Sequence, residues 1–95
     1  GLVLTQIVDF RTSLQRNFRF QVPRLVRWQF KMEPDQTLKV GVNLTHSILS
    51  RQYYYAKMNK DGRIHIPKIN LQLLKGDKPD INGYPIEVTL EPIGY

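Results

Sequence analysis

Six cations, Arg11, Arg16, Arg19, Arg24, Arg27 and Lys31, fall between residues 11 and 31 with no acid among them. A second set, Arg51, Lys57, Lys60, Arg63, Lys68 and Lys75, occupies residues 51–75 against Asp61 alone. Guanidinium and ammonium groups are donors without acceptor capacity, and a run of them matches phosphate oxygens, which an Arg fork can grip with two charge-assisted bonds. Four of the eight acids, Asp77, Asp80, Glu87 and Glu91, lie after residue 76, so the net charge of +6 is concentrated in two places. A basic face of this kind suits a nucleic-acid partner.

The other chemistry-bearing residues do not converge. His46 and His65 stand apart with no cysteine or carboxylate cluster beside them, which falls short of a metal-ligand set. Ser13, Ser47 and Ser50 have no nucleophile-elbow context, and no glycine-rich phosphate loop is present. The acids sit in a loop and on strand faces opposite apolar residues, where they read as solvated surface and not as a general acid–base pair. Catalysis, a metal and a cofactor are therefore not expected. Trp28 and the run Tyr53, Tyr54, Tyr55 have the makings of a base-stacking surface, although strand alternation would bury Tyr54 and expose its neighbours.

The elements that position the cations are those of one small domain. The chain has 95 residues, 41% of them hydrophobic and 23% charged, enough for a modest core. It has no cysteine, so packing alone must hold it, and a reducing compartment is the natural setting. No run of 18 apolar residues occurs, and "GLVLTQIVDF" lacks the charged start and small-residue cleavage site of a secretion signal. A cytoplasmic location without membrane contact is expected.

The cationic runs are two copies of one pattern. At an offset of 44, "RFQVPRLVRWQFK" (19–31) aligns without a gap on "RIHIPKINLQLLK" (63–75), pairing Arg19 with Arg63, Pro23 with Pro67 and Arg24 with Lys68. With four more residues in the second copy, "LKVGV" (38–42) then meets "IEVTL" (86–90). Each copy predicts an extended stretch, a turn, a short strand ended by proline, a turn or two of helix, and an alternating strand. "NKDG" (59–62) predicts a turn with Gly62 at positive φ. "RIHI" predicts a strand with Ile64 and Ile66 inside and Arg63 and His65 outside. The helices are expected to turn Leu25, Val26 and Phe30, and Ile69, Leu73 and Leu74, toward the core. The closing strands are 37–44, with Leu38, Val40, Val42 and Leu44 on one face, and 84–90, with Ile86, Val88 and Leu90. Repeat one spans about 1–46 and repeat two about 47–95, joined by "THSILSR" (45–51). Two units this small are expected to pack on each other about a pseudo-twofold axis, and free strand edges are expected after residue 84.

At "DGRIHIPKINLQLL…GYPIEVTL" the chain resembles the AbrB/SpoVT/MazE family of swapped-hairpin DNA-binding domains, over residues 53–90 and more loosely over 10–44. The resemblance implies a mainly β, barrel-like fold with short helices, two repeats in one chain forming an intramolecular pseudo-dimer. It implies duplex-DNA binding, as a transcription regulator or a nucleoid-associated architectural protein. The family's arginine after the hairpin turn matches Arg19 and Arg63, and its preceding basic position matches Lys57, with Ser13 in the other copy. Its pair of arginines on the short helix matches Arg27 and Trp28 in one copy and Leu71 and Gln72 in the other. The turn glycine matches Gly62 and Phe18, so the first turn is expected to take positive φ at Asn17 instead. The expected DNA-contacting set is Arg16, Arg19, Arg24, Arg27, Lys31, Lys57, Arg63 and Lys68. Repeat one carries seven cations against three acids and repeat two seven against five, so an asymmetric surface is expected. A protein-interaction module, antitoxin-like or part of an assembly, and a single-strand or RNA binder are the alternatives. The molecule is expected to act as a monomeric pseudo-dimer or as a homodimer.

Overall fold

The two proline-stopped strands set the architecture. A computed structural model describes residues 4–93. Its elements are β1 (Val8–Gln15), β2 (Arg19–Gln21), α1 (Arg24–Gln29), β3 (Thr37–Leu44), a single 3₁₀ turn (Ile48–Ser50), β4 (Gln52–Lys57), β5 (Arg63–His65), α2 (Lys68–Lys75) and β6 (Pro85–Pro92). Each repeat is thus strand, short strand, helix, strand. In both, the short strand makes one last backbone bond, Val22 N–H to the Gly62 carbonyl and Ile66 N–H to that of Phe18. Pro23 and Pro67 then offer no N–H, the ladder stops, and a helix begins at the next residue.

All strand pairs are antiparallel, in the order β4-β3-β6-β1-β2-β5. The sheet nearly closes on itself: β4 and β5 form its two ends, and the Asn59 N–H bonds to the Arg63 carbonyl at 2.9 Å across the turn that joins them. The protein is a small, mainly β barrel with two short helices. Its registers obey the sequence repeat. Phe10 faces Val88 on the β1–β6 ladder, and Tyr54, 44 residues later, faces Val40 on β4–β3. On β2–β5, Arg19 faces His65 while Gln21 faces Arg63, and Phe20 faces its own counterpart Ile64. On β3–β6, Gly41 faces its counterpart Thr89. A pseudo-twofold axis therefore crosses the barrel through the Phe20–Ile64 pair in one wall and the Gly41–Thr89 pair in the other. The repeats interleave, because β3 of the first lies between β4 and β6 of the second. β6 is accordingly an interior strand, and the edges expected after residue 84 are absent; β4 and β5 hold that position.

Strand alternation places the core where the sequence puts it. Leu38, Val40, Val42 and Leu44 of β3, and Ile86, Val88 and Leu90 of β6, meet Phe20, Val22, Ile64 and Ile66 inside the barrel. The helices meet expectation at Val26, Phe30 and Leu74 and depart from it elsewhere. α2 buries Leu71 and Leu74 but leaves Ile69 and Leu73 exposed, and α1 buries no residue, with Leu25 74% exposed and only Val26 and Phe30 packed against the core. Six to eight residues are about two turns, too few for a 3.6-residue period to select a face.

The hairpin turns differ between repeats. Gly62 sits at φ +82, as the turn sequence predicts. In the first repeat both Asn17 (φ 64) and Phe18 (φ 59) are left-handed, so Phe18 adopts the conformation expected to be left to Asn17 alone. The cause is register: Gln15 faces Arg19, three residues must reverse the chain, and the turn geometry overrides the preference of a bulky side chain.

Candidate nucleic-acid interface

The wall formed by β2 and β5 turns Phe20 and Ile64 inward, each with no exposed surface, and so presents Arg19, Gln21, Arg63 and His65 outward. The register makes these four twofold-related. Beyond them the cations continue in pairs: Arg16 and Lys60 in the turns leading into the two strands, Arg24 and Lys68 at the first helical residue leaving them. Each pair is separated by the repeat offset of 44. Residues 16–24 and 60–68 thus place six cations around one end of the axis against the single acid Asp61.

Backbone and side-chain bonds fix part of this surface. Gln21 Nε2 donates to the Asp61 carbonyl at 2.6 Å, and Arg63 Nε donates to Gln15 Oε1 at 3.1 Å. Half-buried Arg63 also lies 3.8 Å from the exposed Asp61 carboxylate, a solvent-screened pair of small energetic weight. Arg19 is half-buried, and its Nε finds no hydrogen-bond partner among the described residues.

Of the eight residues expected to contact DNA, the fold brings Arg16, Arg19, Arg24, Arg63 and Lys68 to this wall and its rims. Arg27 turns back on the fold, donating from Nε to the Val22 carbonyl at 3.2 Å, and a Cβ on Gly62 would lie 2.5 Å from its guanidinium. Lys31 follows the end of α1 at φ 50, exposed. Lys57 is exposed at the end of β4 opposite Thr37, two residues before the Asn59–Arg63 bond that brings this end of β4 alongside β5, and so also stands at the β4 rim of the same wall.

The opposite end of the axis carries a polar network that the sequence does not announce. Asn43, 2% exposed, accepts from Arg51 Nη1 and donates from Nδ2 to the Leu44 carbonyl at 2.9 Å. Arg51 Nη2 donates to Thr89 Oγ1, which donates to Asp9 Oδ1 at 2.6 Å, and Arg51 Nε donates to the Tyr53 hydroxyl at 3.2 Å. Gly41 leaves the space that the guanidinium fills, since a Cβ there would stand 2.6 Å from Nη2. Lys39 Nζ adds a cation–π contact 5.3 Å from the Tyr53 ring centroid. A concavity of about 320 Å³ opens beside the network, lined by Asp9, Arg11, Arg51, Glu87 and Thr89 among others. Arg51 is fully engaged in holding this wall, and the acids Asp9 and Glu87 beside it contrast with the basic β2–β5 wall.

Among the described residues, no group of three or more His, Cys, Asp or Glu is placed to hold a metal ion, and no helix is long and apolar enough to cross a membrane.

These features define a pseudo-symmetric barrel of two interleaved repeats with one basic wall. No protein-family model matches the chain, and no curated protein does. Its fold is similar to the solution structure of PHS018 from Pyrococcus horikoshii, with a TM-score of 0.74 at 20% identity, covering 97% of this chain and 94% of that one.

Proposed function

We propose that the protein binds duplex DNA without catalysis, through the β2–β5 wall, in the manner that its resemblance to the AbrB/SpoVT/MazE family implies. The observation that carries this reading is the pairing of cations about the axis: Arg16 with Lys60, Arg19 with Arg63, Arg24 with Lys68. A duplex has local dyads perpendicular to its axis, so a twofold arrangement of donors can engage phosphates on both strands in the same way. The half-buried Arg19 and Arg63 lose little freedom on contact, and the outward Gln21 and His65 add donors for phosphate or base edges. A role in transcription control or in DNA architecture follows from this reading.

Fluorescence anisotropy with a mixed-sequence duplex, titrated across salt, tests it. Six phosphate contacts predict a slope of log affinity against log salt of about −5. Replacing the exposed Arg16, Lys60, Arg24 and Lys68 by Ala together is expected to make that slope shallower by about 3 to 4 units and to leave folding intact. Absence of binding at low salt, or a slope untouched by the four substitutions, would falsify the proposal.

A further inference from the structure

We infer that Trp28 is a stacking platform for an unpaired base at one edge of the basic wall, so that the protein prefers duplexes with a single-stranded end. The inference rests on the duplex-DNA reading and goes beyond it, because it breaks the twofold symmetry on which that reading stands. Trp28 is the one tryptophan of the chain and is 79% exposed. It lies one helical turn from Leu25, on the same side of α1, and Leu25 is 74% exposed. α1 buries no residue, so neither side chain serves the core. Yet the helix is fixed in place: Arg27, beside Trp28, bonds the Val22 carbonyl and fills the space over Gly62.

What covers such a surface is constrained by charge. Arg24 precedes Trp28 by one turn, Lys31 follows by three residues, and no acid occurs from Phe10 to Met32. The partner must be anionic and must also carry a flat apolar face, a combination that a nucleotide supplies. Within a duplex each base face is already covered by its neighbour, which leaves an unpaired base at an end or overhang as the group that fits. In the second repeat the equivalent position is Gln72, exposed and without a π face, so the platform exists on one side only.

The test compares a blunt duplex with the same duplex bearing a three-nucleotide overhang, using anisotropy together with the intrinsic fluorescence of Trp28. Binding of the overhang is expected to be about 10-fold tighter and to quench Trp28, because stacking of a base on an aromatic ring has that order of effect. Trp28→Ala is expected to reduce overhang affinity to the blunt level, leave blunt affinity and the salt slope unchanged, and Trp28→Phe to retain most of the preference. Equal affinity for both duplexes without quenching overturns the inference while the duplex-DNA reading stands. So does an equal loss on both duplexes in Trp28→Ala. Failure to bind any oligonucleotide at low salt overturns both.

Discussion

The two helices occupy equivalent places in a twofold frame and do different things. α2 docks two leucines, and its Asn70 Nδ2 donates to Gln52 Oε1 on β4 at 3.1 Å. α1 is held by an arginine laid over a turn glycine and turns Leu25 and Trp28 to solvent, with Val26 half-buried against the core. The exchange is paired across the axis: where repeat one has Arg27 above Gly62, repeat two has the buried Leu71 in the place of the arginine and Phe18 in the place of the glycine. One half is a structural helix and the other a presented one. A duplicated fold can separate stability from contact in this way, because each copy is relieved of one of the two demands.

Substitutions at paired positions would break or sharpen that division. The largest effect is expected at Leu74, 2% exposed: Leu74→Ala should cost about 3 kcal/mol in a denaturant titration. Its half-buried counterpart Phe30 should cost visibly less on truncation, and equal costs would mean that α1 is docked as firmly as α2. Next is Gly62→Ala, which combines a left-handed φ with a Cβ in the space of the Arg27 guanidinium, for a loss of about 2 kcal/mol. Its counterpart Phe18→Gly should lower stability little or raise it by up to about 1 kcal/mol, because the backbone there already favours glycine. Arg51→Ala should cost about 1 to 3 kcal/mol, since it leaves the buried Asn43 carbonyl oxygen without its donor.

The smallest effect compares Tyr54 with its counterpart Phe10. The Tyr54 hydroxyl is buried with no hydrogen-bond partner among the described residues, and burial raises its pKa above the ordinary tyrosine value. A group whose folded pKa is raised contributes stability that is present below its unfolded pKa, about 10, and that is lost as pH climbs past it. Tyr54→Phe should therefore gain up to about 1 kcal/mol at neutral pH and flatten the alkaline fall in thermal stability. An alkaline limb unchanged by the substitution would place its origin elsewhere.

The order of elements, the inward faces of β3 and β6 and the place of Gly62 were legible because prolines, turn residues and strict alternation act locally. The offsets of 44 and 48 between repeats reappear as strand registers, since a repeated sequence repeats its pairing. The outward face of α1 was not legible: in six residues nothing distinguishes an apolar residue that packs from one that is displayed. The Arg51 network was equally hidden, as Asp9, Asn43, Arg51 and Thr89 are isolated polar residues until three ladders bring them together. The basic wall lies between these cases. Its cations could be counted in advance, but the turning back of Arg27 over Gly62 depended on the nearly closed sheet.

The axis passes through two pairs in which a residue meets its own counterpart, Phe20 with Ile64 and Gly41 with Thr89. In an assembly of identical subunits those places would have to be filled by the same residue twice. A dimer of the first repeat alone would force two phenylalanines into a space shaped for one ring and one branched chain, and a dimer of the second would set two threonines where one glycine makes room for Arg51. Cleaving the chain in the joint at Leu49, which is fully exposed, should thus yield halves that seek each other and reject themselves. The tether makes that mutual choice intramolecular, which fixes the stoichiometry at one of each.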